Sequence, residues 1–168
     1  MWTKEKVEKK IKELSNDIDY TIYNFEFIID EKPEQYVRER AGRGKHFYNP
    51  KGSIVERYKK TMKEQLGKEN RKIMNELFDS EKQYTVSVEC DFYIPIPKND
   101  SVVMAAKKEK KIVLPNKRPD LDNYGKLLLD ALHDVVYKDD AVVCKLTSQK
   151  FYSIHPRTEI RTTIKIED

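Results

Sequence analysis

The chain has 168 residues, 38% apolar and 37% charged, with a formal net charge of +4 from 33 basic and 29 acidic side chains. That length fits one domain around one core, and no run approaches the roughly 18–20 apolar residues of a membrane span. The N-terminal MWTKEKVEKKIKEL is charged and amphipathic rather than an apolar secretion signal, which makes the cytoplasm the default compartment and gives no reason to expect a membrane partner.

Val7, Ile11, Leu14 and Ile18 recur at helical spacing and predict a helix over residues 2–18. Tyr23, Phe25, Phe27 and Ile29 then alternate, as in a half-buried strand. Residues 31–52 hold Gly42, Gly44, Pro50 and Gly52 among Lys32, Arg38, Arg40, Arg43 and Lys45, a long basic loop. Ile54, Val55, Tyr58, Met62 and Leu66 form a helical stripe; Gly67 is placed to interrupt it before Ile73, Met74, Leu77 and Phe78 resume.

The clearest strand follows. Tyr84, Val86, Val88, Cys90, Phe92, Ile94 and Ile96 share one face, with Thr85, Ser87, Glu89 and Asp91 on the other. Pro95 and Pro97 set its far end at an edge or outside the sheet. Residues 98–118 read as a second basic loop, expected to be mobile. After Pro119, Tyr124, Leu127, Leu128, Ala131, Leu132 and Val135 predict a helix over 121–136. Two strands close the chain, one near 141–152 and one in which Ile160, Thr162, Ile164 and Ile166 share a face. This order predicts a single α/β (α+β) domain: a mixed sheet of about four strands with helices on one side, plus the extra N-terminal helix. Cys90 and Cys144 lie in strand-like runs outside any Cys-x-x-Cys pattern and are expected as buried thiols.

The chemistry concentrates in RPDLDNYGKLLLDALHDVVYKDDAVV, residues 118–143. Asp120 falls at the expected N-cap and Asp122 in the first turn, where the helix dipole favours a carboxylate. Asp122, Lys126 and Asp130 stack along one face opposite the leucines. Each acid has an ordinary explanation: Asp120 as a cap, the Asp122–Lys126–Asp130 row as a solvated ladder, Asp139–Asp140 as a turn. A joint site forms if the strand after Asp140 returns beside the helix start and brings Asp140 to Asp120 and Asp122. Another packing leaves them roughly 20 Å apart. Converging carboxylates repel one another unless a cation lies between them. All-oxygen ligands without cysteine or paired histidine point to Mg²⁺, with Mn²⁺ as a substitute. Such an ion, shared with a phosphate, suits phosphodiester hydrolysis, and Lys126 would offset charge on the phosphorus centre.

The run Asp120-Leu121-Asp122-Asn123-Tyr124-Gly125-Lys126, then Asp130-Ala131-Leu132, then Asp139-Asp140 before Val142 and Val143, resembles the signature of the RusA-type Holliday-junction resolvases. The resemblance implies metal-binding roles for Asp120, Asp122 and Asp140 and a catalytic lysine at Lys126. Asp139 and Asp130 match further family positions, and Lys150 resembles the basic residue late in the following strand. It also implies a RusA-like fold and a homodimeric, Mg²⁺-dependent endonuclease that nicks four-way DNA junctions in recombination and repair; the family is common in phages and prophages. Two symmetric cuts from a chain with one candidate site give the dimer a physical motive.

The basic segments fit DNA as partner: Arg38, Arg40, Arg43 and Lys45 in the first, Lys107, Lys108, Lys110, Lys111, Lys117 and Arg118 in the second, with Lys150 nearby. Tyr36, His46, Phe47 and Tyr48 are placed to stack on opened bases or to pack the loop down. Two alternatives stand beside the resolvase: a metal nuclease acting on other branched or single-stranded DNA, and a non-catalytic DNA-binding protein of the same fold.

Overall fold

The computed structural model describes residues 2–14, 19–37, 40–41, 47–48 and 51–167. Arg38, Arg43, Lys45 and His46, and the side chains of Arg40, Phe47 and Tyr48, lie outside the described residues, as do residues 15–18 of the expected first helix. The elements in chain order are α1 (Lys4–Glu13), β1 (Tyr20–Ile29), the short pair β2 (Arg40–Ala41) and β3 (Phe47–Tyr48), α2 (Gly52–Phe78), β4 (Tyr84–Pro95), α3 (Val102–Glu109), α4 (Leu121–Leu132), β5 (Val143–Ser153) and β6 (Arg157–Glu167).

Four strands form one mixed sheet in the order β1-β6-β4-β5. β6 pairs antiparallel with both β1 and β4, whereas β4 and β5 run parallel. A parallel pair requires a crossover, here the segment carrying α3 and α4. One sheet face is apolar: Val86, Val88, Cys90 and Phe92 of β4 and Ile160 and Ile164 of β6 pack with Phe27 and Ile29 of β1. Tyr58, Met62 and Leu66 of α2 and Tyr124, Leu127, Leu128, Ala131 and Leu132 of α4 complete this core from above. Each buried aliphatic or aromatic side chain contributes roughly 1.5–3 kcal/mol.

The other face is mostly polar, apart from Tyr93 and Phe151, whose rings pack together. Glu89 bridges Lys145 at 3.3 Å and Arg161 at 3.5 Å, Arg161 also reaches Asp91 at 3.1 Å, and Arg157 pairs with Glu159 at 2.7 Å. The cross-strand pairs of Glu89 and Asp91 with Lys145 and Arg161 explain why these two acids alternate with apolar neighbours, while Arg157–Glu159 lies within β6.

Gly67 interrupts α2 as its position suggested: its φ of 76° is left-handed, so the helix breaks there without a β-carbon penalty. Three expectations need correction. Residues 98–118 are not a bare loop, because Ser101 caps α3 through Met104 N at 3.2 Å and the helix docks on β5. Glu109 secures it by accepting from Ser153 Oγ and Ile154 N at 3.2 and 2.7 Å. Cys90 is buried, which pushes its thiol up to about 11, but Cys144 is exposed because β5 is an edge strand. α4 stops at Leu132 rather than near residue 136, since the chain turns through Asp134 at φ 62°.

Asp134 locks this turn. Its carboxylate meets Lys138 Nζ at 2.8 Å, His133 Nδ1 at 2.9 Å and Lys59 Nζ at 3.7 Å. Lys138 first, then His133, draws its carboxyl down to about 2. In the unfolded chain the group titrates at ~3.9, so its stabilisation is complete above about pH 4 and fades as pH falls towards 2. Asn tolerates the left-handed conformation. Asp134→Asn is therefore expected to lower stability at pH 7 by roughly 0.5–1 kcal/mol, with the Tm gap to wild type narrowing below about pH 4. Melting curves across pH check this, and a gap constant with pH would count against it.

Candidate active site

Asp120 occupies the N-cap of α4 in an extended conformation (φ −72°, ψ 146°), and its carbonyl accepts from Asn123 N at 3.2 Å. Its carboxylate makes no capping hydrogen bond. That departs from the usual use of an N-cap aspartate and, among the described residues, leaves both side-chain oxygens available for another ligand. Asp122 follows in the first turn, and Lys126, one turn on, reaches its Oδ2 at 3.3 Å. Both are more than half exposed. The helix sits low on β5: a β-carbon at Gly125 would lie 3.8 Å from Ser148 Oγ and 3.9 Å from a Leu146 methyl.

Asp120, Asp122, Asn123 and Lys126 line a cleft of about 500 Å³ with Gln35, Tyr36 and Val37. Tyr36 N donates to Asn123 O at 2.8 Å, so the strap leading into the first basic segment is tied to the first turn of α4. Gln35 and Val37 escaped the sequence reading, and Asn123 entered it only as part of the linear motif. Only this non-local backbone bond brings residues 35–37 to the acids, and no periodicity reports it.

Asp140 is elsewhere. It lines a second cleft with Lys59, Leu129, Asp130, His133, Tyr137, Lys138 and Asp139. This cleft lies at the other end of α4, a 12-residue helix about 18 Å long. The strand after Asp140 does return beside the helix start, but the residue it brings there is Lys150, whose Nζ donates to the carbonyls of Lys117 at 2.9 Å and Pro119 at 3.1 Å. The expected convergence of Asp120, Asp122 and Asp140 within one chain is therefore not met. The chain needs the length of β5 to travel back along α4. Among the described residues no three His, Cys, Asp or Glu side chains gather closely enough to hold a metal ion.

The remaining acids divide by use. Asp139 Oδ1 accepts from Ala141 N at 2.9 Å and caps the short turn Asp140–Val142, the ordinary structural role. The Asp130 carboxyl is pushed up, first by desolvation in the second cleft and then by Asp140.

The basic residues divide as well. Lys108 is buried, pairs with Asp100 at 2.6 Å and lies 4.4 Å over the Tyr152 ring; it holds α3 and is not free to meet DNA. Lys111 stacks 4.1 Å over Phe151. Lys107, Lys110, Lys117 and Arg118 are exposed.

Asp120 and Asp122 suit Mg²⁺, which commonly takes one or two carboxylates, keeps several waters and completes its shell with substrate phosphate. The donor set contains no thiolate or imidazole that would favour zinc.

Residues 30–163 match the family described as Endodeoxyribonuclease RusA. The chain is also 43% identical over 77 residues to Uncharacterized protein YqaN of Bacillus subtilis (strain 168), a match covering 45% of this chain and 54% of that protein. The chain thus spans about half the length of the curated relative it matches.

An acid kept out of capping contributes little to folding. Asp120→Ala is expected to stay within roughly 0.5 kcal/mol of wild type in urea unfolding, whereas Ser101→Ala, which loses the α3 cap, costs ~1 kcal/mol. Equal losses in the two variants would return Asp120 to a structural role.

Proposed function

The chain belongs to the Endodeoxyribonuclease RusA family, and from that premise we propose that it is a Mg²⁺-dependent endonuclease that nicks four-way DNA junctions as a homodimer. The observation that carries this reading is the pair of exposed carboxylates, Asp120 and Asp122, free of capping duty and joined by Lys126 in one cleft. A structural helix start would spend the first acid on its own backbone. A DNA-binding module gains nothing from two exposed acids, with one lysine between them, facing a polyanion.

Mg²⁺ held by Asp120 and Asp122 would supply Lewis acidity and an activated water at the scissile phosphate. The chain's own groups do the rest. The Lys126 ammonium, 3.3 Å from Asp122, stands where it can neutralise charge growing on the phosphate oxygens. The strap at Gln35–Val37 closes the cleft on one side. Lys107, Lys110, Lys117 and Arg118 offer charge to the flanking backbone, a role that makes affinity fall steeply with salt.

The separation of Asp140 from Asp120 gives the dimer a second motive. Two copies related by a two-fold axis, with their α4 helices antiparallel, set Asp140 of each beside Asp120 and Asp122 of the other. Each active site then draws acids from both chains, and two sites form together or not at all.

Synthetic four-way junctions, flaps, single strands and linear duplex, incubated with protein and Mg²⁺, test the activity: paired symmetric nicks confined to junctions are expected. Equal cutting of plain duplex, or binding without cutting, would overturn it. Asp120→Asn and Asp140→Asn are each expected to bind junctions and lose cleavage by 100-fold or more, in the range seen when a preorganised charge is removed (about 10²–10³). Mixing the two inactive variants separates the arrangements. Shared sites restore about a quarter of wild-type nicking, because half the dimers are mixed and each keeps one intact site of two. Sites built within single chains restore none.

A further inference from the structure

We propose that Lys150 is a positioning residue for Asp120 rather than a DNA contact, an inference that rests on the active-site reading above. Its Nζ donates to two main-chain carbonyls, Lys117 at 2.9 Å and Pro119 at 3.1 Å, and so spends two of its three donors on the segment that enters α4. Pro119 immediately precedes Asp120 in the chain.

The need for such a clamp follows from the free carboxylate. An N-cap aspartate normally anchors its own position by bonding the amide two or three residues on. Asp120 does not, so its side chain cannot hold the backbone that aims it. Other groups fix the first turn. On the helical side, Asn123 N binds Asp120 O at 3.2 Å and Tyr36 N binds Asn123 O at 2.8 Å. On the incoming side, Lys150 performs that task from a neighbouring strand. It lies on β5 beside Phe92 of β4, a register set by the parallel ladder, and is half-buried between strand and helix. A side chain drawn out to a phosphate would have to release both carbonyls.

The Asp120 carboxylate is thereby kept open while its main chain is held. Orientation of this kind carries a large share of a catalytic rate, and a displacement of about 1 Å can cost on the order of 100-fold.

The test uses the full chain with Lys150→Met, which keeps the stem and removes the donors, and Lys150→Arg, which restores donors. Hydrogen exchange at the amides of residues 117–123 is measured without DNA. It is expected to accelerate in Lys150→Met and return towards wild type in Lys150→Arg. Mn²⁺ binding, followed by electron paramagnetic resonance, is expected to weaken in the Met variant. Junction affinity without metal should stay within about twofold, with its salt slope unchanged, while single-turnover cleavage in Mg²⁺ slows roughly 10- to 100-fold. A loss of affinity with the salt slope reduced by about one would identify a phosphate contact and overturn the proposal. Unchanged exchange at residues 117–123 would overturn it as well. Failure of the wild type to nick junctions would instead defeat the functional reading, and the exchange and Mn²⁺ measurements would still decide the role of Lys150.

Discussion

The parallel pairing of β4 with β5 is the constraint on which the rest of the structure depends. Two parallel neighbours cannot be joined by a tight turn, so the chain must leave the end of β4 and come back to the start of β5. The return is made by α4, which lies across the apolar face and therefore runs opposite to β5. Its N-terminus, with Asp120 and Asp122, falls at the carboxyl ends of the parallel strands. Its C-terminus falls where β5 begins. Open α/β sheets tend to bind ligands at the carboxyl ends of their strands for this reason: that is where helix N-termini and connecting loops collect. α3 docks on the end of β5 there, through Glu109 and Ser153.

The same direction of travel explains why two acids close in sequence pattern are distant in space. Asp140 belongs to the entry into β5, Lys150 to its far end, and α4 spans the distance between them. A monomer therefore holds two partial clefts at the two ends of one helix. The antiparallel dimer proposed above would join them, since a two-fold axis can set opposite ends of two helices side by side.

Identical side chains serve different ends within this frame. Asp134 is held by Lys138, His133 and Lys59 and secures a left-handed turn. Asp100 neutralises the buried Lys108, Asp139 caps a turn, and Asp91 pairs with Arg161 on the open face. Among the described residues Asp120 and Asp122 have no such structural duty, apart from the exposed Lys126 contact. Carboxylates already committed to main-chain amides or ammonium groups have little left for a cation, so the uncapped acids stand out by what they do not bind.

Much of this was legible in the sequence. Alternation over residues 84–96 and 160–166 reported the two central strands, because a strand's period is set by its own pleat. The stripe from Tyr124 to Leu132 reported α4 and put Asp122 and Lys126 together on its outer face, since helical neighbours are fixed by local geometry. Those short-range periods determined the four main strands, α2, most of α4, much of the core and the Asp120–Asp122–Lys126 group, though not α3, and the linear motif carried the family. The tertiary structure alone decided that Asp140 stands apart, that Lys150 takes the place expected for an acid, that Lys108 is buried, and that Gln35 and Tyr36 wall the cleft. Each of those depends on strand direction, register or a hydrogen bond between residues far apart in the chain, and such relations leave no period in the sequence to read.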